Sequence, residues 1–351
     1  MTDPRYDLAA LTTFTRELFT AAGLAPDLAA PVGTYLVKAD AMGHDTHGLA
    51  LAPWYLDHIA NGVVACSGRP DVVSDRGAAI CWNGRRLPGA YLVDEAMTTA
   101  IERAREFGTC TLAIGDAHHA GAMAVYLERA TDLGLMATIA SSSPSGAQVA
   151  PFGGLTGVYN PQPIAYGIPT DGDPVLIDIS AGITTANMAK RLIAEGRAYE
   201  RDWLMDAEGR TTNDPNAMNE GGTLLPVGGL DHGQKGYGLS LSIEALTQGL
   251  AGYGRADTPK GTSSAITVQI HDPEAFGGRD AFIRQTGWLA ATCRAVKPHP
   301  DFGAVRLPGD AALKRKRTAE REGVRLHPGI MEGLAECASC YGLQTPAPVS
   351  G

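Results

Sequence analysis

The chain has 351 residues, enough for a large buried core and for two domains, since single cores stop growing at roughly 250–300 residues. Its 44% hydrophobic and 19% charged residues exclude a disordered or fibrous protein, and a net charge of −9 excludes a nucleic-acid binder, which needs a basic stripe against phosphates. Six scattered cysteines, at 66, 81, 110, 293, 337 and 340, and an N-terminus without basic and apolar signal regions point to free thiols and a cytoplasmic protein.

Asp7 is placed to cap a helix with Leu8, Leu11, Phe14, Leu18 and Phe19 on one face, stopping at Gly23. A second helical pattern runs from about Asp27 through Leu28, Val32, Tyr35, Leu36 and Ala39, with Pro31 tolerable only in its first turn. It delivers Asp40-Ala-Met-Gly-His44-Asp45-Thr46-His47-Gly48, in which Gly43 and Gly48 permit a tight, non-repetitive turn presenting two histidines, two carboxylates and a hydroxyl. Residues 49–60 read as another helix that Pro53 either kinks or begins, closed by Asn61-Gly62. Val72-Val73 and Ala78–Trp82 read as short strands. A helix over 90–107, a strand over Cys110–Ile114, a helix over 121–133 and a strand over Met136–Ala140 then suggest layered α/β structure, with ligands at the strand ends.

From Leu133 to Thr170 no residue is charged, and five prolines with Gly153-Gly154 break any membrane-spanning helix. The segment reads as a partly buried loop system lining a pocket, or more plainly as a buried crossover. Pro174–Ile179 is a strand carrying Asp178, and 185–195 a helix. Gly228 to Gly238 opens an apolar helix through Leu239, Leu241, Ile243, Leu246 and Leu250, where backbone N–H groups and Lys235 would suit a phosphate. A strand over 265–270, helices near 280–295 and 311–322, and an exposed loop at Val305–Asp310 complete the chain; Lys314–Arg317 reads as a solvated helix face and Cys337–Cys340 as a chance pair on a helix.

Neither a G-x-G-x-x-G fingerprint nor a P-loop is present. His44 and His47 stand at i,i+3 without the zincin spacing or an adjacent glutamate, so no metal site is expected. Ser141-Ser142-Ser143-Pro144 does not match a nucleophile elbow. On the residues alone, His47 could be satisfied by a backbone carbonyl, and His118-His119 could cap and pack a helix. The remaining chemistry is proton transfer by a histidine beside an uncharged pocket and anion-binding glycines, which suits carbonyl or imine reduction.

Asp45-Thr-His-Gly48, Ile114–Gly121, Ser142-Ser-Pro144, Pro151-Phe-Gly-Gly154, Pro163-Ile-Ala165, Ile168-Pro-Thr170, Gly209–Pro215, Leu225–Gly229, Lys235–Leu239 and Val305–Gly309 occur in an order that resembles the malate/L-lactate dehydrogenase family of NAD(P)-dependent reductases. The resemblance implies an α/β fold outside the Rossmann class, with a helical N-terminal part and a central cofactor-binding domain. On that reading residues 76–229 bind NAD or NADP, while 1–75 with 230–351 form the helical, substrate and dimerisation domain of a homodimer acting on a small molecule. It implies His47 as proton donor or acceptor, with Thr46 in place of a serine that steadies the ring. Cofactor contacts would come from His118, His119, Gly121, Ser142, Asp178, Ile179, Ser180, Gln234, Lys235, Gly236, Pro308, Gly309 and Asp310, and substrate contacts from Leu51, Tyr55 and Gln162. A histidine with an ordinary pKa near ~6.5 could donate a proton at neutral pH and take it back. Three residues depart from the family pattern: Leu51 for arginine, Gln162 (after Pro161) for asparagine, and Met188 where lysine or aspartate is common. They imply altered recognition of a substrate carboxylate, or a homologue that binds cofactor or ligand without turnover.

Overall fold

The computed structural model describes residues 4–349, so part of the N-terminal stretch read for a signal, Met1 to Asp3, lies outside the described residues. Arg5–Tyr6 (β1) leads into Leu8–Ala21 (α1), where the Asp7 carboxylate accepts from Ala10 N at 2.8 Å. Leu11, Phe14, Leu18 and Phe19 are buried, as their spacing predicts. Pro26–Met42 (α2) starts before Asp27, because proline at the first position is preorganised and loses no hydrogen bond. Pro31 consequently sits in the second turn, not the first, and forgoes one backbone bond there. Burial of Leu28, Val32, Leu36 and Val37 offsets this, at roughly 1.5–3 kcal/mol for each large apolar side chain. A short 3₁₀ turn at Leu49–Leu51 precedes Ala52–Ala60 (α3), so Pro53 marks a beginning and not a kink.

Strands Asp71–Asp75 (β2) and Ala79–Asn83 (β3) form an antiparallel pair, and Gly89–Phe107 (α4) crosses over to Thr109–Ala117 (β4), which lies parallel to β3. Ala124–Thr131 (α5), Met136–Ser142 (β5), Pro163–Ile168 (β6) and Val175–Ser180 (β7) follow. The uncharged segment is thus not loop throughout: it contains all of β5 and β6. Its irregular part is pinned by Arg255, whose guanidinium donates to the carbonyls of Ser143 (2.8 Å) and Pro144 (3.1 Å) and pairs with Glu244 at 2.8 Å. One fixed cation so satisfies backbone acceptors that no ladder reaches.

Ala186–Ala194 (α6) packs with a small sheet of Leu204–Met205 (β8), Thr211–Thr212 (β9) and Thr223–Leu224 (β10) around a second core that includes Val149, Tyr159, Ala189, Leu192 and Tyr199. The glycine-rich stretch is itself helical, as Gly229–His232 (α7) and Gln234–Glu244 (α8), followed by a π-helical turn at Ala245–Gly249. Gln234 and Lys235 stand exposed in the first turn of α8. Gly236 serves close packing: a Cβ there would lie 2.5 Å from Val227 N and 2.8 Å from Ala181 O. Of the apolar residues in this stretch Ile243 is buried, whereas Leu241 and Leu250 are exposed.

Ser264–His271 (β11) inserts between β4 and β5, giving a seven-stranded sheet in the order β2-β3-β4-β11-β5-β6-β7, antiparallel except at β3–β4. The 230–351 segment therefore contributes a central strand to the sheet built from 71–180. Arg279–Ala295 (α9), Asp310–Glu322 (α10), Val324–Arg325 (β12) and Ile330–Ser339 (α11) close the chain, with β12 paired to β1. The basic run on α10 is only partly a solvated face, since Lys316 pairs with Glu128 at 2.7 Å and Arg317 with Asp173 at 2.9 Å. Among the described residues no helix is long and apolar enough to cross a membrane.

Candidate active site

The turn after α2 is built by its own backbone. Gly43, at φ 87°, ends the helix; His44 N donates to Ala39 O and His47 N to His44 O, both at 2.8 Å. Asp40 anchors the turn from beneath, its Oδ2 accepting from Leu49 N at 2.7 Å. A Cβ on Gly48 would come within 2.6 Å of Asp40 Oδ1, so only glycine lets the carboxylate approach. Burial raises the Asp40 pKa from 3.8 to about 7, against the opposing Leu49 N–H, and Oδ1 is buried without a hydrogen-bond partner.

His47 carries its Nδ1 2.8 Å from Thr46 Oγ1. Burial, with the charge of His44 added, lowers its pKa to about 4. This corrects the expectation of an ordinary imidazole: desolvation disfavours the cation, and the ring is neutral at pH 7. The His119 ring lies 6.0 Å away, centroid to centroid. Its Nδ1 is 2.7 Å from the Tyr55 hydroxyl and 3.3 Å from Gly121 N. A backbone N–H can only donate, so Nδ1 accepts and the His119 proton sits on Nε2. Burial, then the neighbouring His47, drives the His119 pKa well down. His118 Nε2 meets His58 Nδ1 at 2.8 Å, and burial lowers the His118 pKa to about 3. Trp54 packs on this group, 4.5 Å from His58 and 5.6 Å from both His118 and His119.

Of the residues expected at the substrate, Tyr55 is buried with its hydroxyl engaged by His119, and Leu51 is 8% exposed within the main core. Gln162 is 0% exposed, at φ 53°, with Nε2 donating to Glu244. Met188 is half-buried against the second core. Several expected cofactor residues also have structural partners. Ser142 Oγ is buried between Thr247 Oγ1 (2.7 Å) and Gln248 Nε2 (2.9 Å). Asp178 Oδ2 accepts from Ala124 N at 2.9 Å, satisfying a donor at the start of α5; its pKa is raised by burial, with His44 opposing. Ser180 Oγ donates to Gly182 O at 2.7 Å, whereas Ile179 is 48% exposed and Gln234 and Lys235 are exposed at the start of α8. Pro308 O accepts from Leu176 N at 3.0 Å, Gly309 packs on Leu176, and Asp310 pairs with Arg294 at 2.6 Å, fastening that loop to β7.

The structure adds residues to which the sequence reading assigned no role: Asp40 under the turn, Trp54 and His58 one helical turn apart on α3, and Arg191 of α6, which holds Asp45 at 3.1 Å. The i,i+4 spacing of Trp54 and His58 was a readable signal. The Arg191–Asp45 pair joins residues 146 positions apart, for which no local signal exists. Among the described residues no group of three or more His, Cys, Asp or Glu side chains is placed to hold a metal ion.

The family model described as malate/L-lactate dehydrogenase matches residues 6–335. The chain belongs to that family. It is an oxidoreductase, of a family of dehydrogenases and reductases acting on CH–OH or C=N groups. Hydroxycarboxylate dehydrogenase B of Escherichia coli (strain K12) is 27% identical over 349 residues, covering 97% of this chain and 95% of that protein. Delta(1)-pyrroline-2-carboxylate/Delta(1)-piperideine-2-carboxylate reductase of Pseudomonas syringae pv. tomato is 29% identical over 339 residues, covering 92% and 93%. The fold is shared with malate dehydrogenase from Entamoeba histolytica, at TM-score 0.92, 20% identity, and coverage of 99% of this chain and all of that one.

Proposed function

We propose that this family member transfers hydride between NAD or NADP and a 2-hydroxy/2-oxo acid, a ketone or a cyclic imine, with His47 as general acid/base and Thr46 orienting it. The observation that carries the reading is a half-buried, neutral imidazole fixed through Nδ1 by a neighbouring hydroxyl. The relatives named for hydroxycarboxylates and cyclic imino-carboxylates support that substrate class.

Bound nicotinamide would supply the hydride acceptor or donor. The exposed Ile179 offers an apolar face for a ring, and the exposed Gln234 and Lys235 an amide and an ammonium for the pyrophosphate, so the residues fit such a group. In oxidation, His47 Nε2 removes the substrate hydroxyl proton while Nδ1–H donates to Thr46; in reduction the imidazolium returns that proton to the carbonyl oxygen. The Thr46 hydroxyl serves either tautomer because it can donate or accept. Since Leu51 is in the core, the carboxylate partner is Arg191, whose Nη1 is bonded to Asp45 while its remaining N–H groups have no protein acceptor among the described residues. Exposed Val227, Leu230, Leu241 and Leu250 support a homodimer, and the free thiols a cytoplasmic setting.

Replacing His47 by alanine is expected to lower kcat by about 10²–10⁴-fold, with the cofactor still bound. The assay pairs NADH and NADPH with 2-oxo acids, cyclic imino acids and uncharged ketones. Unchanged turnover by the variant, or no binding of either cofactor at millimolar concentration, would overturn the reading.

A further inference from the structure

A cleft of about 430 Å³ opens between the end of α2, helix α10 and the β1–β12 pair. Its walls carry Arg5, Lys314, Arg315, Arg325 and His327 against two carboxylates, Asp40 and Asp45, in a chain whose net charge is −9. Neither carboxylate neutralises the cluster. Asp45 is held by Arg191, and burial keeps Asp40 half-protonated near pH 7. Glu322 pairs with Arg5, but among the described residues Lys314, Arg315 and Arg325 have no carboxylate within ion-pair reach.

The backbone makes this concentration of charge deliberate. In the antiparallel β1–β12 pair Arg5 stands directly opposite Arg325; Glu322 and the Gly323 carbonyl engage Arg5, which leaves the Arg325 charge to be met from the cleft. Arg315 crosses bare backbone at Gly43, where a Cβ would lie 2.9 Å from its Cδ and Nη1, so its guanidinium lies along the turn. Guanidinium forks and an ammonium arriving from two elements match a phosphate, whose oxygens accept from several directions, better than a planar carboxylate. The volume suits a small organic ligand.

We propose that this cleft is a binding site for a phosphate-bearing small molecule, separate from the His47 chemistry. It stands independently of the hydride-transfer reading. Gly43 and Asp45 belong both to the cleft wall and to the turn bearing His47, so a ligand there would be felt at His47.

Calorimetric titration of the full chain with pyrophosphate at low salt tests this. Saturable binding is expected, weakened at least about tenfold in Lys314→Glu/Arg325→Glu, unaffected by millimolar NADH, and stronger than binding of citrate. Both replaced side chains are exposed, and a circular dichroism melt checks folding; if that variant does not fold, Arg315→Gln carries the same expectation. Absence of binding at millimolar pyrophosphate, equal binding by the variant, displacement by NADH, or citrate binding as tightly would each overturn the proposal. Binding is read without turnover, so failure here is distinguishable from failure of the proposed reaction.

Discussion

The protonation of His47 follows from where its ring sits. With a pKa lowered to about 4 by burial, the neutral base is the dominant form through the ordinary assay range. Oxidation of a hydroxy acid, which uses the base, should therefore be flat above about pH 5, while reduction, which uses the imidazolium, should accelerate as pH falls toward about 4. Profiles of kcat in both directions measure this, and a reductive limb centred near ~6.5 would show that bound substrate restores the ordinary value. Asp40 has the opposite displacement. A carboxyl whose folded pKa lies above its unfolded value binds its proton more tightly when folded, so its stabilisation is present below 3.8 and is lost as pH rises to about 7. Asp40→Asn, which keeps an oxygen for Leu49 N, should flatten the decline of stability across that window in denaturant titrations. Arg191→Gln is expected to raise KM for 2-oxo acids about tenfold or more while KM for uncharged ketones holds; equal effects on both would remove Arg191 from carboxylate binding.

At the scale of elements, single charged side chains join segments distant in the chain. Glu128 of α5 receives Lys38 of α2 at 2.9 Å and Lys316 of α10 at 2.7 Å, locking the helix that ends in the His47 turn against two neighbours. Asp178 of β7 meets the start of α5 through Ala124 N. Arg255 joins the Ser143–Gly146 loop to Glu244, which also accepts from Gln162. Arg255→Ala should cost roughly 1.5–3 kcal/mol, the scale of hydrogen bonds to a charged group, and loosen that loop. Urea titration gives the first, and hydrogen exchange at residues 143–146 gives the second. The uncharged composition of this loop was legible as a sign of partial burial. The guanidinium that makes its burial tolerable was not, because Arg255 lies more than a hundred residues along the chain.

Across the whole molecule, the local signals led directly to the long helices and to six of the seven strands of the main sheet, while β6 and the two-residue strands β1, β8, β9, β10 and β12 carried no readable pattern. Asp7 caps α1 as read and Pro53 begins α3, one of its two readings, because each depends on the backbone of its immediate neighbours, whereas Asp40–Met42, read as part of the turn, still continue α2 up to Gly43. The ordered motifs identified the family and concentrated attention on the turn with Thr46 and His47. Tertiary structure decided the rest. It set β11 between β4 and β5, turned the glycine-rich stretch into packed helix, and placed Leu51 in the core. It also brought Arg191 to Asp45 and lowered the His47 pKa. Residue order determines what each short segment can form, whereas desolvation and long-range charge depend on which segments surround a side chain, and only the folded chain supplies those neighbours.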